Sequence, residues 1–332
     1  MIKTVLIGCG KSGSIIANEL SVADTEICGF CDLNIERARG LAEKFGGEAY
    51  SDYREMFEKT MPEVAVICTP PYCTDEIILC AAENGISFIT ESPVTGDGGR
   101  YNDILAKIEE KGIKTAVYDR LMYSKLMRVM KQFAAKNPII RASFERVTPA
   151  PTEFWKRDCE LCGGILIEKG VDVISAVTSL FGEIKRVNAV SSRGFVSGIA
   201  DYSTDDCFTA DLVCSCNAIV NITLGNYGVE GEDFSVVLNA RGKRLELKDG
   251  VIRVYGDTFD PGRTKKMLHA GEIIPDEVED GCLVYKDDCE MTPIKAFMSA
   301  ISGGKADNIV SYAEGVHALM SAKAVLAKTV QL

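Results

Sequence analysis

A chain of 332 residues with 46% hydrophobic content carries enough apolar material for two globular cores, and no stretch approaches the roughly 18 uninterrupted apolar residues that a spanning helix needs. A formal net charge of −11 opposes attraction to phosphate backbones and anionic lipid, so neither nucleic-acid nor membrane partners are expected. The 13 cysteines read as reduced thiols, because several, such as Cys68, sit inside apolar runs; with Met1 leading straight into a strand pattern, a cytoplasmic location is expected.

Strands are predicted over residues 3–7, 26–31, 64–68, 86–90 and 114–118, alternating with helices over about 12–20, 34–45, 51–59, 74–84 and 100–111. Short apolar runs separated by amphipathic segments are the pattern of a parallel sheet with crossover helices, so residues 1–120 read as a doubly wound Rossmann domain. Residues 121–332 are β-rich, with predicted strands at 139–147, 184–193, 206–214, 217–224, 233–239, 244–248 and 251–255. These imply an open, mainly antiparallel sheet. Helices over about 163–181, 291–302 and 308–328 are expected to cover one face of it, giving an α+β second domain. Residues 256–280 read as a polar loop.

Directly after the first strand stands Gly8-Cys9-Gly10-Lys11-Ser12-Gly13. In a strand-to-helix turn the first glycine permits the tight bend, the second lets backbone approach a pyrophosphate, and the third lets helix pack on strand, with helix N-terminal amides facing the anion. Asp32 follows Gly13 by nineteen positions, at the end of the second predicted strand. A carboxylate there accepts hydrogen bonds from ribose hydroxyls and repels a 2′-phosphate, so the expected cofactor is NAD, favoured over NADP. Gly10-Lys11-Ser12 does not complete a phosphate-binding P-loop, because Val5 stands where that pattern needs glycine. Cys28/Cys31 and Cys159/Cys162 have Cys-x-x-Cys spacing, but no second pair completes either, and no metal is expected.

Val66-Ile67-Cys68-Thr69-Pro70-Pro71, the helix from Thr74, and Gly85 through Glu91-Ser92-Pro93 resemble segments of the Gfo/Idh/MocA oxidoreductases, and the resemblance covers nearly the whole chain. It implies a small-molecule substrate, a sugar, polyol or derivative, and a homodimer or homotetramer through the C-terminal sheet, where runs such as Ala210–Cys216 lie. It also implies that Thr69 and Pro70 flank the nicotinamide ribose, that Glu91 and Pro93 shape the turn beside the ring, and that Tyr118-Asp119-Arg120 marks the domain junction, with Arg120 among the cofactor residues. Gly163-Gly164 to Gly182 is similar to the family's active-site helix. Three positions depart from the family: Ser92 stands for the catalytic lysine, Glu168 for an aspartate and Asp172 for a histidine.

Moving a hydride to or from a hydroxyl carbon needs a group that takes or supplies the hydroxyl proton, and serine is no base unaided. Glu168 and Asp172 are four apart on a predicted helix and share a face. Their like charges call for a cation from Lys125, Arg120, Lys156 or Arg157, or for one carboxyl to hold its proton at neutral pH and serve as a general acid. Glu168 or Asp172, helped by Tyr123 or Lys125, is the expected proton donor; Lys169, about 100° round the helix, is expected to face elsewhere. Neither His269 nor His317 falls at a catalytic position of the family, and Trp155 reads equally as a pocket or a core aromatic. An imine is a further substrate class, since protonated C=N accepts hydride without a strong base. The rival reading is a non-catalytic NAD-binding sensor or partner protein.

Overall fold

The computed structural model describes the chain except for residues 97–98, 195–198, 200, 258–270, 280, 289–290 and 305–308. Two compact units emerge, Met1–Tyr123 with Met291–His317, and Ser124–Glu290 with Ala318–Leu332.

In the first unit six parallel strands run in the order β3-β2-β1-β4-β5-β6, namely β1 Ile2–Ile7, β2 Thr25–Cys31, β3 Glu48–Tyr50, β4 Val64–Ile67, β5 Ser87–Glu91 and β6 Thr115–Tyr118. The reversal of order beside β1 is the switch point at which doubly wound sheets bind dinucleotides. β1 and β4 are buried almost throughout, which is why they read as continuous apolar runs rather than alternating ones. Helices α1 Lys11–Ser21, α2 Ile35–Phe45, α3 Tyr53–Thr60, α4 Thr74–Glu83 and α5 Tyr101–Lys111 connect them. Asn34 and Asp52 cap α2 and α3 by accepting from the amides of Glu36 and Arg54.

The helix Pro293–Ile301, expected on the second sheet, belongs instead to this unit. Its Ile294, Phe297 and Met298 join Leu6, Ile16, Leu20, Phe30, Val66, Ile89 and Ala116 in one buried cluster. Thr292 caps it by accepting from the Lys295 amide, with Pro293 at its first turn. Further on, fully buried Tyr312 packs edge-on against Phe88, with ring centroids 5.6 Å apart.

The second unit is built on ten strands in the order β14-β15-β13-β12-β11-β7-β10-β9-β8-β16. Their ranges are β7 Ile139–Val147, β8 Ile184–Ser192, β9 Cys207–Cys214, β10 Ile219–Gly225, β11 Asp233–Ala240, β12 Lys243–Lys248, β13 Val251–Tyr255, β14 Glu277–Glu279, β15 Cys282–Lys286 and β16 Thr329–Gln331. Pairing is antiparallel except between β7 and β10 and between β8 and β16. Strands β9 and β10 alternate buried and open residues, as one covered face requires. The polar stretch after residue 256 is therefore not wholly loop, since it contains β14; residues 258–270 lie outside the described residues, and His269 with them.

Three helices precede or cross this sheet: α6 Arg120–Tyr123, which closes the first unit, α7 Lys125–Lys136, and α10 Ile165–Phe181, which follows the single turns α8 Phe154–Arg157 and α9 Cys159–Cys162. A Cβ on Gly170 would lie 2.8 Å from Leu224 Cδ1, so the bare glycine is what lets α10 lie close on β10. The last helix, Tyr312–Leu326, starts beyond residue 308, which lies outside the described residues.

Candidate functional site

At the end of β1, Gly8 adopts φ +91°, and a Cβ there would stand 2.7 Å from the Cys68 carbonyl carbon. No other residue type fits that bend without strain. A Cβ on Gly13 would overlap the Gly8 carbonyl oxygen and stand 3.3 Å from Leu6 Cδ2, so helix and strand meet at glycine-only distance. Gly10 is different. A Cβ there meets nothing within 4 Å, so no protein atom requires a glycine; the space it leaves fits a bound group lying against the backbone. Helix α1 opens at Gly10 with no side-chain cap, which leaves its first amides directed at that space.

Asp32 follows β2, tied in place from both sides. Its Oδ2 accepts from the Cys9 amide and its Oδ1 from the Asn34 amide, each at 2.8 Å. Each oxygen keeps a second lone pair for a ribose hydroxyl. Cys9 of the fingerprint packs inward, its thiol pushed up to about 12 by burial and by the Asp32 charge, while Lys11 is exposed and Ser12 half-buried. Past β4, Thr69 Oγ1 shares a 2.9 Å hydrogen bond with Thr74 Oγ1, and Pro70 leads into a single 3-10 turn. Glu91 ends β5, and the Ser92-Pro93 peptide bond is cis. Arg120 donates to Tyr118 Oη and to Glu19 Oε1, both at 3.0 Å. Tyr123 is buried, and its hydroxyl oxygen accepts from the Val310 amide at 3.2 Å.

The acidic pair lies in the second unit. Gly163 and Gly164, both at positive φ, turn the chain into α10, which places Glu168 in the first turn and Asp172 one turn on. Each carboxylate has its own cations. Glu168 Oε1 is 3.0 Å from Lys156 Nζ and its Oε2 is 3.2 Å from Lys169 Nζ. Asp172 accepts from Arg146 Nη1 at 2.6 and 2.7 Å. That same Nη1 donates to the Lys169 carbonyl, Arg146 Nε sits 2.8 Å from Glu232 Oε1, and the guanidinium lies over the Phe234 ring.

Of the four cations expected to compensate the pair, Lys156 does so. Arg146, on β7, was not foreseen, and Lys169 faces Glu168 rather than away from it. A long aliphatic stem lets a lysine reach back to its neighbour whatever the helix angle of its Cα. Lys125 is engaged elsewhere, its Nζ 2.9 Å from both oxygens of Asp276. Trp155 carries the Lys156 ammonium over its ring at 5.2 Å. Among the described residues no three His, Cys, Asp or Glu side chains converge as a metal site would require, and no helix is long and apolar enough to cross a membrane.

Strand order, glycine turn and tethered acid together define a dinucleotide-binding Rossmann domain of the NAD type. Residues 2–118 match the model described as oxidoreductase family, NAD-binding Rossmann fold. Residues 2–118 thus carry the NAD-binding Rossmann fold of the Gfo/Idh/MocA oxidoreductases, and the cofactor of that fold is NAD. The chain is 28% identical over 185 residues to the levoglucosan dehydrogenase of Pseudarthrobacter phenanthrenivorans, covering 51% of this chain and 47% of that one. It is 25% identical over 143 residues to an inositol 2-dehydrogenase of an Arthrobacter species, covering 42% of this chain and 41% of that one. The matched region thus spans about half the length of these curated relatives or less. The crystal structure of GenD2 from gentamicin A biosynthesis in complex with NAD superposes with a TM-score of 0.78, covering 98% of this chain and 93% of that one at 16% identity, which shows a shared fold.

Proposed function

We propose that this chain is an NAD(H)-dependent dehydrogenase acting on a sugar, a polyol or a related small hydroxyl compound. The observation that carries the reading is Gly10, whose open space lies at the uncapped start of α1 beside the tethered Asp32. The two curated relatives support the substrate class.

When bound, NAD supplies the hydride acceptor or donor. The amides at the start of α1 hold its pyrophosphate, and Asp32 accepts from the ribose hydroxyls while disfavouring a 2′-phosphate. Thr69, Pro70, Glu91 and Pro93 border the nicotinamide end. Glu168, Asp172 and the cations that hold them form the acid-base set in place of the lysine that Ser92 lacks. Tyr123 and Lys125, already committed to Val310 and Asp276, act in this reading by fixing their own surroundings. A cytoplasmic homodimer or homotetramer through the ten-stranded sheet accompanies it, supported by exposed Ile140 and Ile219 on adjacent strands.

The test is a panel of sugars, polyols, hydroxy acids and imines with NAD and NADH, followed by nicotinamide absorbance, with Asp172→Asn beside the wild type. Turnover of a hydroxyl compound that falls by about 10²-fold or more in Asp172→Asn supports the reading. Tight NADH binding with no turnover of any compound supports the sensor instead, the alternative favoured by the full neutralisation of both carboxylates.

A further inference from the structure

The fold treats the two Cys-x-x-Cys pairs differently. Cys28 and Cys31 both lie in β2, where three residues span about 10 Å, beyond the roughly 7 Å between Cα atoms that a disulfide can bridge. Cys159 and Cys162 are instead the two ends of the single turn α9. The Cys162 amide donates to the Asp158 carbonyl and the Gly163 amide to the Cys159 carbonyl, each at 2.9 Å. Side chains three apart in a helical turn leave on one face with Cβ atoms about 5–6 Å apart, and a disulfide needs about 4 Å. A lone turn closed by Gly163 at φ +76° can tighten by that difference.

The two thiols are unequally placed. Cys159 is exposed and Cys162 is 3% exposed, so a small molecule reaches the outer sulfur while the inner one waits behind it. Gly164 leaves room beside the outer thiol: where its Cβ would stand, Cys159 Sγ is 3.9 Å away and Asp205 Oδ2 3.3 Å. Among the described residues no third His, Cys, Asp or Glu completes the pair as a metal site. Burial raises both thiols above the ordinary value, and at Cys159 the Asp205 charge adds to it while Arg193 opposes. Thiols so raised attack slowly, and for the same reason their thiolates leave slowly, so a disulfide between them resists reduction once closed.

We propose that Cys159 and Cys162 form a redox-modification site that closes to an intramolecular disulfide by exchange with a low-molecular-weight disulfide. Cys159 loses its proton to water and its sulfur attacks one sulfur of the small disulfide. That S–S bond breaks, and the first small thiolate leaves and takes a proton from water. Cys162 then loses its proton to water and its sulfur attacks the Cys159 sulfur, which breaks the mixed disulfide and releases the second small thiolate to be protonated likewise. Two protein thiols are oxidised to one disulfide, and one small disulfide is reduced to two thiols. In the reduced chain the Cys162 thiol donates to Thr204 Oγ1 at 3.7 Å and accepts from the Gly164 amide at 3.3 Å. Turning that sulfur toward Cys159 gives up both contacts. The Gly164 carbonyl accepts from the Glu168 amide at 3.0 Å, so closure loosens the entry to α10.

To test this, the reduced chain is incubated with glutathione disulfide at about pH 8.5, blocked with iodoacetamide and digested with trypsin. Cleavage after Arg157 and Lys169 leaves both cysteines in one peptide. That peptide is expected to lose both alkyl labels and to appear lighter by two hydrogens, and dithiothreitol should restore the labels. In Cys162→Ser the glutathione adduct should persist on Cys159, because nothing displaces it. Hydrogen exchange at the Gly164 amide should run about 2- to 10-fold faster in the oxidised chain, as loss of one hydrogen bond implies. A peptide that keeps both labels while exposed Cys73 and Cys216 take up glutathione overturns the proposal. So does a lasting glutathione adduct on Cys159 in the wild type. The wild-type map decides alone if circular dichroism shows Cys162→Ser to be unfolded, and unchanged exchange at Gly164 overturns the coupling to α10.

Discussion

Alanine at Gly10 and alanine at Gly13 should have opposite effects on stability and cofactor binding, although the two glycines are three residues apart in one turn. At Gly10 the backbone has φ −76° and ψ −156°, which any L-residue adopts, and the added methyl meets no protein atom within 4 Å. Stability should change by less than about 1 kcal/mol, the lost flexibility of the unfolded chain offsetting the poorer helix cap. The methyl does occupy the space assigned to the pyrophosphate, and each amide-to-anion hydrogen bond it displaces is worth about 1.5–3 kcal/mol. Losing one raises the NADH dissociation constant by roughly 10- to 150-fold, at 1.4 kcal/mol per factor of ten. At Gly13 the methyl overlaps the Gly8 carbonyl oxygen and stands 3.0 Å from its carbon. The helix must move off β1, an overpacking cost of about 1–3 kcal/mol or more. Urea denaturation and NADH fluorescence titration of the two purified variants measure both effects. Unchanged NADH affinity in Gly10→Ala would refute the placement of the pyrophosphate, whatever happens at Gly13.

Three further outcomes follow from buried groups. The Tyr312 hydroxyl is buried with no hydrogen-bond partner among the described residues, so Tyr312→Phe should leave stability unchanged or raise it by up to about 1 kcal/mol in urea denaturation. Burial pushes the Asp205 carboxyl up; a group whose folded-state value is raised contributes stability below its unfolded value, near 3.9, and loses it as pH rises through the folded value. Asp205→Asn should therefore gain stability relative to wild type at pH 7.5 and lose that advantage near pH 3, by denaturation at the two pH values. With its thiol pushed up to about 12, Cys9 should remain unlabelled by iodoacetamide at pH 7.5 while exposed Cys73 and Cys159 are modified, as peptide mass spectrometry would report.

The strands of both sheets were legible where they are long, because a covered face forces either alternation or a continuous apolar run. Three-residue β3, β14 and β16 carry too few side chains for a period to show. Helix α7 was legible in principle and was missed: Ser124 caps it by accepting from the Met127 amide, and Leu126, Met127, Val129, Met130 and Phe133 form one buried stripe. The cofactor turn could be read because its demands are local to the backbone. The charged cluster on α10 could be read only in part. Glu168 and Asp172 share a helix face by spacing alone, but Arg146 reaches Asp172 from another strand, a tertiary fact with no trace in local pattern. The placement of Lys169 failed because a helical wheel locates a Cα and leaves a four-carbon stem free to turn.

Helix Pro293–Ile301 completes a core whose other members lie between residues 2 and 116. During synthesis the first Rossmann strands leave the ribosome more than 170 residues ahead of Phe297, and until that ring arrives the buried cluster that includes Leu20, Phe30 and Ala116 is incomplete. The nucleotide-binding unit therefore cannot mature in simple N-to-C order. A nascent chain halted before residue 290 would present a sticky apolar groove to chaperones, and detaching residues 1–123 as a free-standing module would recreate that half-finished state permanently.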